Sequence, residues 1–264
     1  MNPGDIVPLT FSYGLVALSY VIAVAGAYVA LVCAARIRSI DAGPMRTGYI
    51  VLAAVALGGV GIWSMHFIGM QAQTFPFGLV FGVFPTLSGL LIAIICSGVA
   101  FWYVARAPFS TINCIVGGTI AGIGVAAMHY MGVFAMKIPA RIDWNVGLVM
   151  FSILVAIAAA SAALWLAFNI ESVRQRVMAA FLMGAAVCGM HYTGTAAGTV
   201  ICTTPLAVVP EGLGGMSLPY MTFFLSAGLL LALRLQLRRT SIQYRAVLAA
   251  RMDTLIDPTE RPVA

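Results

Sequence analysis

Charge is what this sequence has least of. Of its 264 residues, 8% are Asp, Glu, Lys or Arg, against roughly 25% in a typical soluble domain. That shortage excludes a disordered chain, which needs high charge and low hydrophobicity, and an ordinary soluble enzyme. Histidine is scarcer still, with three, and lysine occurs once, as Lys137. The lone lysine lies in a connector, so no seventh-span Schiff base of a retinal-type photoreceptor is available. The five cysteines are Cys33, Cys96, Cys114, Cys188 and Cys202. Four lie inside apolar runs, and their spacings match no disulfide or CxxC framework. No nucleophile, carboxylate pair or phosphate loop accompanies the histidines, so the chain is not read as an enzyme.

What is there is apolar. Hydrophobic residues make up 62% and the mean hydropathy is +1.02. A membrane helix needs about 20 apolar residues to cross the hydrocarbon core. Seven runs qualify, at 11–35, 47–72, 79–104, 112–136, 146–169, 176–200 and 218–237. Arg, Asp, Gly and Pro punctuate the breaks, and no charge sits in the middle of a run. The stretch Asn2 to Pro8 is polar and is not a cleavable signal peptide. The expected fold is an all-α membrane protein of seven transmembrane helices, with a membrane domain over 1–237 and a basic tail over 238–264.

The net charge of +6 is not a nucleic-acid signature, because the basic residues are spread over short connectors and the tail. They set the orientation instead. With the N-terminus outside, Arg36, Arg38, Arg46, Arg106, Arg174 and Arg176 fall in inner connectors. Arg234, Arg238, Arg239, Arg245, Arg251 and Arg261 fall at the inner end. Lys137 and Arg141 alone fall outside. The expectation is a multi-pass membrane protein with its N-terminus outside and its C-terminus in the cytoplasm. The tail after 237 is amphipathic and Arg-rich. It reads either as a surface helix on anionic lipid or as a signalling helix that contacts a partner or a second copy.

All three histidines fall in one repeated motif. Met65-His66-Phe67-Ile68-Gly69 recurs as Met128-His129-Tyr130-Met131-Gly132 and as Met190-His191-Tyr192-Thr193-Gly194. The histidines are 63 and 62 residues apart, and each has a glycine seven positions earlier: Gly59, Gly122 and Gly184. The unit is therefore a pair of spans carrying the motif in its second member, given three times, with the seventh span left over. Positions seven apart share a helix face, so each histidine is expected on an inward face with its glycines at −7 and +3. The second, fourth and sixth spans run in one sense. The imidazoles are thus expected at one depth, about one-third of the way in from the outer surface, where they can converge. An imidazole without a partner in hydrocarbon costs several kcal/mol. Three such costs in register point to a shared ligand.

Met-His-Tyr-Thr at 190–193, with its two variants, resembles the MHYT family of bacterial integral membrane sensors. The resemblance covers spans two to seven. It implies a copper site near the outer face that detects oxygen, carbon monoxide or nitric oxide, with cytoplasmic output domains such as cyclic-di-GMP enzymes, a histidine kinase or a DNA-binding module. The metal residues it implies are Met65, His66, Met128, His129, Met190 and His191. Tyr130 and Tyr192 match the third motif position, where Phe67 departs. Thr193 alone matches the fourth, where Ile68 and Met131 depart.

The residues themselves are consistent with copper. Imidazole suits copper, zinc and iron, and thioether sulfur favours Cu(I). Position −1 lies about 100° around the helix from the histidine, so the methionines are open between ligand and gap-filler, as is Met70 one turn after His66. Cys188, one turn before His191, reads as a small core residue. Trp63 and the Gly118-x-x-x-Gly122 and Gly194-x-x-x-Gly198 patterns read as packing. Phe67, Tyr130 and Tyr192 read as an interfacial aromatic belt rather than as hydrogen-bond partners of ligand histidines. Two other classes stay open. One is a metal transporter, against which stand repeats that are not inverted and spans that lack Asp and Glu. The other is a haem protein held by two of the histidines. Membrane lipid is the surrounding partner in every case.

Overall fold

The computed structural model describes residues 2–39, 44–203 and 212–214, with scattered positions between 220 and 242. Among the described residues, six helices are long and apolar enough to cross a membrane: α1 Tyr13–Ser39, α2 Met45–Ala72, α3 Val83–Ala105, α4 Thr111–Phe134, α5 Val146–Asn169 and α6 Val173–Ala196. At 1.5 Å per residue each exceeds the ~30 Å of hydrocarbon. The chain is a multi-pass helical membrane protein, and its first six spans fall within a few residues of the expected positions. The seventh span expected at 218–237 and the tail 238–264 lie mostly outside the described residues. Described positions there, among them Tyr220, Leu229 and Gln236, are helical.

Local chemistry accounts for the helix starts. Asn145 accepts a hydrogen bond from the Leu148 N–H at 3.1 Å to cap α5, and Ser172 with Gln175 forms a capping box on α6. On the side of the bundle where α6 begins, guanidinium groups satisfy terminal carbonyls. Arg38 donates to Phe168 O at 2.8 Å and Ile170 O at 2.6 Å, and Arg46 donates to Ala105 O. Cations suit helix C-termini.

The helices repeat in pairs, α1–α2, α3–α4 and α5–α6. In each pair the residue before the first helix donates its N–H to an alanine carbonyl at the end of the second. These bonds are Ser12 to Ala72 at 2.7 Å, Gly82 to Ala135 at 2.7 Å and Asn145 to Ala197 at 2.8 Å.

One pair departs from the others. The centre of α2, Val55–Ser64, is π-helical, between α-helical Pro44–Ala54 and Met65–Ala72. Ten π residues far exceed the usual single-turn bulge. The run contains Gly58, Gly59 and Gly61, and backbones approach it from both sides. A Cβ on Gly26 of α1 would collide with the Gly61 nitrogen, and one on Gly58 with the Ala93 carbonyl of α3. The Ser64 hydroxyl donates to Gly59 O, five residues back, at 3.1 Å.

The connectors at the histidine end form a small β cap that composition did not announce. Its strands are β1 Val80–Phe81, β2 Met136–Lys137, β3 Ala140–Trp144, β4 Gly198–Cys202 and β5 Leu213–Gly214. Strand β1 pairs antiparallel with β2 and β5, and β3 pairs with β4 from Ala140↔Cys202 to Trp144↔Gly198. Bridges Ile6↔Ile201 and Phe11↔Gln73 add the N-terminal segment, so Asn2 to Pro8 belongs to the cap. Gly198 lies in a strand against Ile142, which removes Gly194-x-x-x-Gly198 from the helix-contact patterns. Gly118 and Gly122 do pack closely, against Ser161 and Ile157 of α5.

Candidate metal centre

His66, His129 and His191 stand six residues before Ala72, Ala135 and Ala197 in α2, α4 and α6, so they lie about 9 Å below the cap ends of these helices. Their relative exposures are 0%, 0% and 1%. The three rings converge through one type of atom. Nδ1 of His66 is 3.0 Å from Nδ1 of His191 and 3.2 Å from that of His129, and the third side of the triangle is 3.3 Å. Among the described residues this is the group of His, Cys, Asp or Glu side chains able to hold a metal ion.

The triangle carries a chemical constraint. In any one protonation state an Nδ1 either donates or accepts. Around three atoms the roles cannot alternate, so at least one side sets two donors or two lone pairs face to face. Hydrogen bonding alone therefore cannot satisfy the cluster, whereas a central cation accepts all three lone pairs. Sides of 3.0–3.3 Å put the centre about 1.8 Å from each nitrogen, close to the ≈ 2.0–2.1 Å of a zinc–imidazole bond. A few tenths of an ångström of expansion would fit a first-row metal. The residues present fit such an ion.

The outward-facing nitrogens are ordered by the repeat. No Nε2 of the three makes a hydrogen bond of normal geometry. Each faces the backbone of the +3 glycine of the following copy: His66 on Gly132, His129 on Gly194 and His191 on Gly69. A Cβ on any of these glycines would collide with the imidazole. The −7 glycines are buried, as expected of an inward face, but they meet neighbouring helices and not the imidazoles. Gly122 packs on Ile157 of α5, Gly184 on Val24 of α1, and Gly59 on Ile94 of α3 and Leu225. Each thus meets the first helix of the next pair, with the last pair returning to the first.

The aromatic position also differs from the belt reading. Tyr130 hydrogen-bonds Ser152 of α5 at 2.6 Å and Tyr192 hydrogen-bonds Ser19 of α1 at 3.0 Å. Neither bonds a histidine through its hydroxyl, and Phe67 is buried against Trp63 and Phe81. Met65, Met128 and Met190 are all buried. Met128 packs on Gly89 of α3, and Met190 lines an apolar cavity with Ile62, Val125 and Val187. Trp63 packs as expected and donates its indole N–H to Thr86 O at 2.9 Å. Cys188 is half-buried and stands outside the imidazole group.

Three equivalent helix pairs around a buried imidazole triangle define a repeat-built membrane protein whose core could hold a metal ion. Residues 59–117 and 122–180 match the MHYT family, described as a bacterial signalling protein N-terminal repeat, so the chain carries MHYT repeats. The third copy of the motif lies beyond the matched residues. The chain is 37% identical over 193 residues to the bifunctional diguanylate cyclase/cyclic di-GMP phosphodiesterase MucR of Pseudomonas aeruginosa, covering 71% of this chain and 28% of MucR. It is 35% identical over 194 residues to the cyclic di-GMP phosphodiesterase NbdA of the same organism, covering 71% and 24%. An uncharacterized signaling protein of Caulobacter vibrioides is 32% identical over 203 residues, covering 76% and 24%. The chain thus matches only about a quarter of each relative's length. No solved structure matches it.

Proposed function

We propose that this chain is an integral membrane sensor domain whose three histidines hold a metal, best copper, and that occupancy or ligation there is signalled to the cytoplasm. The observation that carries the reading is the Nδ1 triangle, a set of three lone-pair donors that protons alone cannot satisfy. His66, His129 and His191 would hold the ion through Nδ1, with Met65, Met128 and Met190 as candidate thioether donors. Bound copper would supply redox activity and an open position for oxygen, carbon monoxide or nitric oxide. The chain's own part is to exclude water from the imidazoles and to seat each ring on a neighbouring glycine. No catalysis is assigned to it.

The cyclic-di-GMP activities for which MucR and NbdA are named support a cyclic-di-GMP output domain as the cytoplasmic partner. A seventh span over 218–237, an outer N-terminus and an inner tail over 238–264 complete the reading. A second copy of the chain is a further candidate partner for the tail. Haem fits poorly, because nitrogens 3.0–3.3 Å apart leave no gap for a porphyrin between any two rings.

The test is elemental analysis with an optical spectrum on purified protein, beside a His66/His129/His191 triple alanine variant. About one copper per chain is expected, lost in the variant and without a Soret band. Absence of metal from both after anaerobic copper loading would overturn the metal reading. Copper uptake into vesicles that depends on the histidines would favour a transporter.

A further inference from the structure

The imidazole triangle has two faces, and the residues flanking the motif make them chemically different. One turn after the histidines, on the cap side, stand Met70, Val133 and Thr195. With the buried Gln73 they line a pocket of about 10 Å³, room for one water at most by the ≳ 10–15 Å³ a water needs. One turn before the histidines, on the side away from the cap, stand Ile62, Val125 and Val187. They line a larger cavity of about 40 Å³ that Met190 joins to the motif.

The larger cavity is apolar. Among its lining residues Ser97 alone carries a polar side chain. Apolar cavities stay dry and take up apolar guests such as xenon or benzene, and this one is far too small for a lipid chain. Its far wall is built of alanines, Ala159, Ala160 and Ala163 of α5 and Ala186 of α6. All four are half-buried, so the cavity reaches the surface between these two helices. Ala159 and Ala186 lie near the midpoints of α5 and α6. The opening therefore falls in the middle of the hydrocarbon layer, where apolar gases are more soluble than in water.

We propose that this cavity is the binding compartment for a small apolar molecule of the diatomic-gas class. The molecule enters from the bilayer between α5 and α6 and rests on the layer of Ile62, Val125 and Val187, one turn from the imidazoles on the side away from the cap. The inference deepens the sensor reading and rests on it for its meaning, but the cavity can be probed without metal.

Xenon probes the cavity and carbon monoxide the face. In metal-free protein, saturable xenon binding followed by xenon NMR is expected, weakened at least tenfold in Ala160→Phe and Val125→Phe and unchanged in Gln73→Ala. Two filling variants are used so that misfolding of one does not decide the result. In copper(I)-loaded protein, CO association is expected to slow at least tenfold in Ala160→Phe with copper content unchanged, and to be unaltered in Thr195→Val. Xenon binding that ignores both fillings, or CO association that responds only to Thr195→Val and Gln73→Ala, overturns the proposal. If xenon binds and is displaced by the fillings while no copper binds, the compartment stands and the metal reading fails. If copper binds and xenon does not, the compartment fails and the metal reading stands.

Discussion

The Tyr192 hydroxyl lies 3.0 Å from Ser19 Oγ, across 173 positions of chain, and this bond ties the last repeat to the first. Tyr130 and Ser152 make the equivalent bond between the second and third. The remaining interface has lost both partners together. Phe67 stands for the tyrosine, and Gly89 stands for the serine, five residues before Ile94 as Ser19 and Ser152 are before Val24 and Ile157. Interhelical hydrogen bonds in membranes average about 0.6 kcal/mol, with an upper range near 1.7. Tyr192→Phe and Tyr130→Phe are each expected to lower unfolding stability by about that amount without changing metal content. Phe67→Tyr alone should destabilise by burying a hydroxyl without a partner. Adding Gly89→Ser should recover part of the loss, because a Cβ there meets Met128 and Trp63 at ordinary contact distances of 3.5 and 3.9 Å. A double-mutant cycle on the pair measures the coupling.

The +3 glycines give a sharper test of the imidazole geometry. Gly69→Ala, Gly132→Ala and Gly194→Ala each place a methyl where an Nε2 now lies. Changes in the groups that orient metal-bound histidines cost 10–100-fold in affinity. A loss of at least tenfold in metal affinity is expected for each, with helix content retained. Gly189→Ala, which faces open space two residues before His191, should leave binding untouched. Equal effects in all four would sink the cradle.

Metal addition should stabilise the fold. A ligand present at 100 times its Kd adds about 2.7 kcal/mol, so thermal unfolding of the loaded protein should shift upward and a chelator should reverse the shift. Removing any one of His66, His129 or His191 should abolish the shift, since each supplies one corner. A full shift in a single alanine variant would show that the ion sits elsewhere.

Backbone contact along α2 predicts where small residues are obligatory. Gly26→Ala and Gly58→Ala push a Cβ into the backbone of a neighbouring helix, and overpacking typically costs about 1–3 kcal/mol. Both should unfold earlier in denaturant or accumulate poorly. Gly14→Ala, with no atom within 4 Å, is expected to be near neutral.

The six spans and the meeting of His66, His129 and His191 were legible in the sequence because both rest on signals carried along the chain. Hydrocarbon thickness sets run length, and a repeat of 62–63 residues places like residues at like depth. What was not legible depends on side-chain torsions and on neighbours. That Nδ1 turns inward and Nε2 outward is a matter of imidazole orientation, which no spacing reveals. Gly122 shares a helix face with His129 by its offset of seven. The imidazole nevertheless reaches toward the axis while the glycine meets α5. Tyr192 sits at interfacial depth, which invited the belt reading, and only the position of Ser19 shows its bond. Strands of two to five residues are too short to leave a period, so the cap was read as connectors. The π segment of α2 depends on the backbones of α1 and α3 pressing on its glycines.

Because every imidazole is seated in the repeat that follows it, and His191 in the first, no single repeat owns any part of the centre. One pair of helices supplies a ring for one neighbour's seat and a seat for the other neighbour's ring. A chain with two pairs would close with two corners, and a fourth pair would spread the corners too far apart to share an ion. The architecture counts: three duplicated units are the number at which the circle shuts and the nitrogens meet.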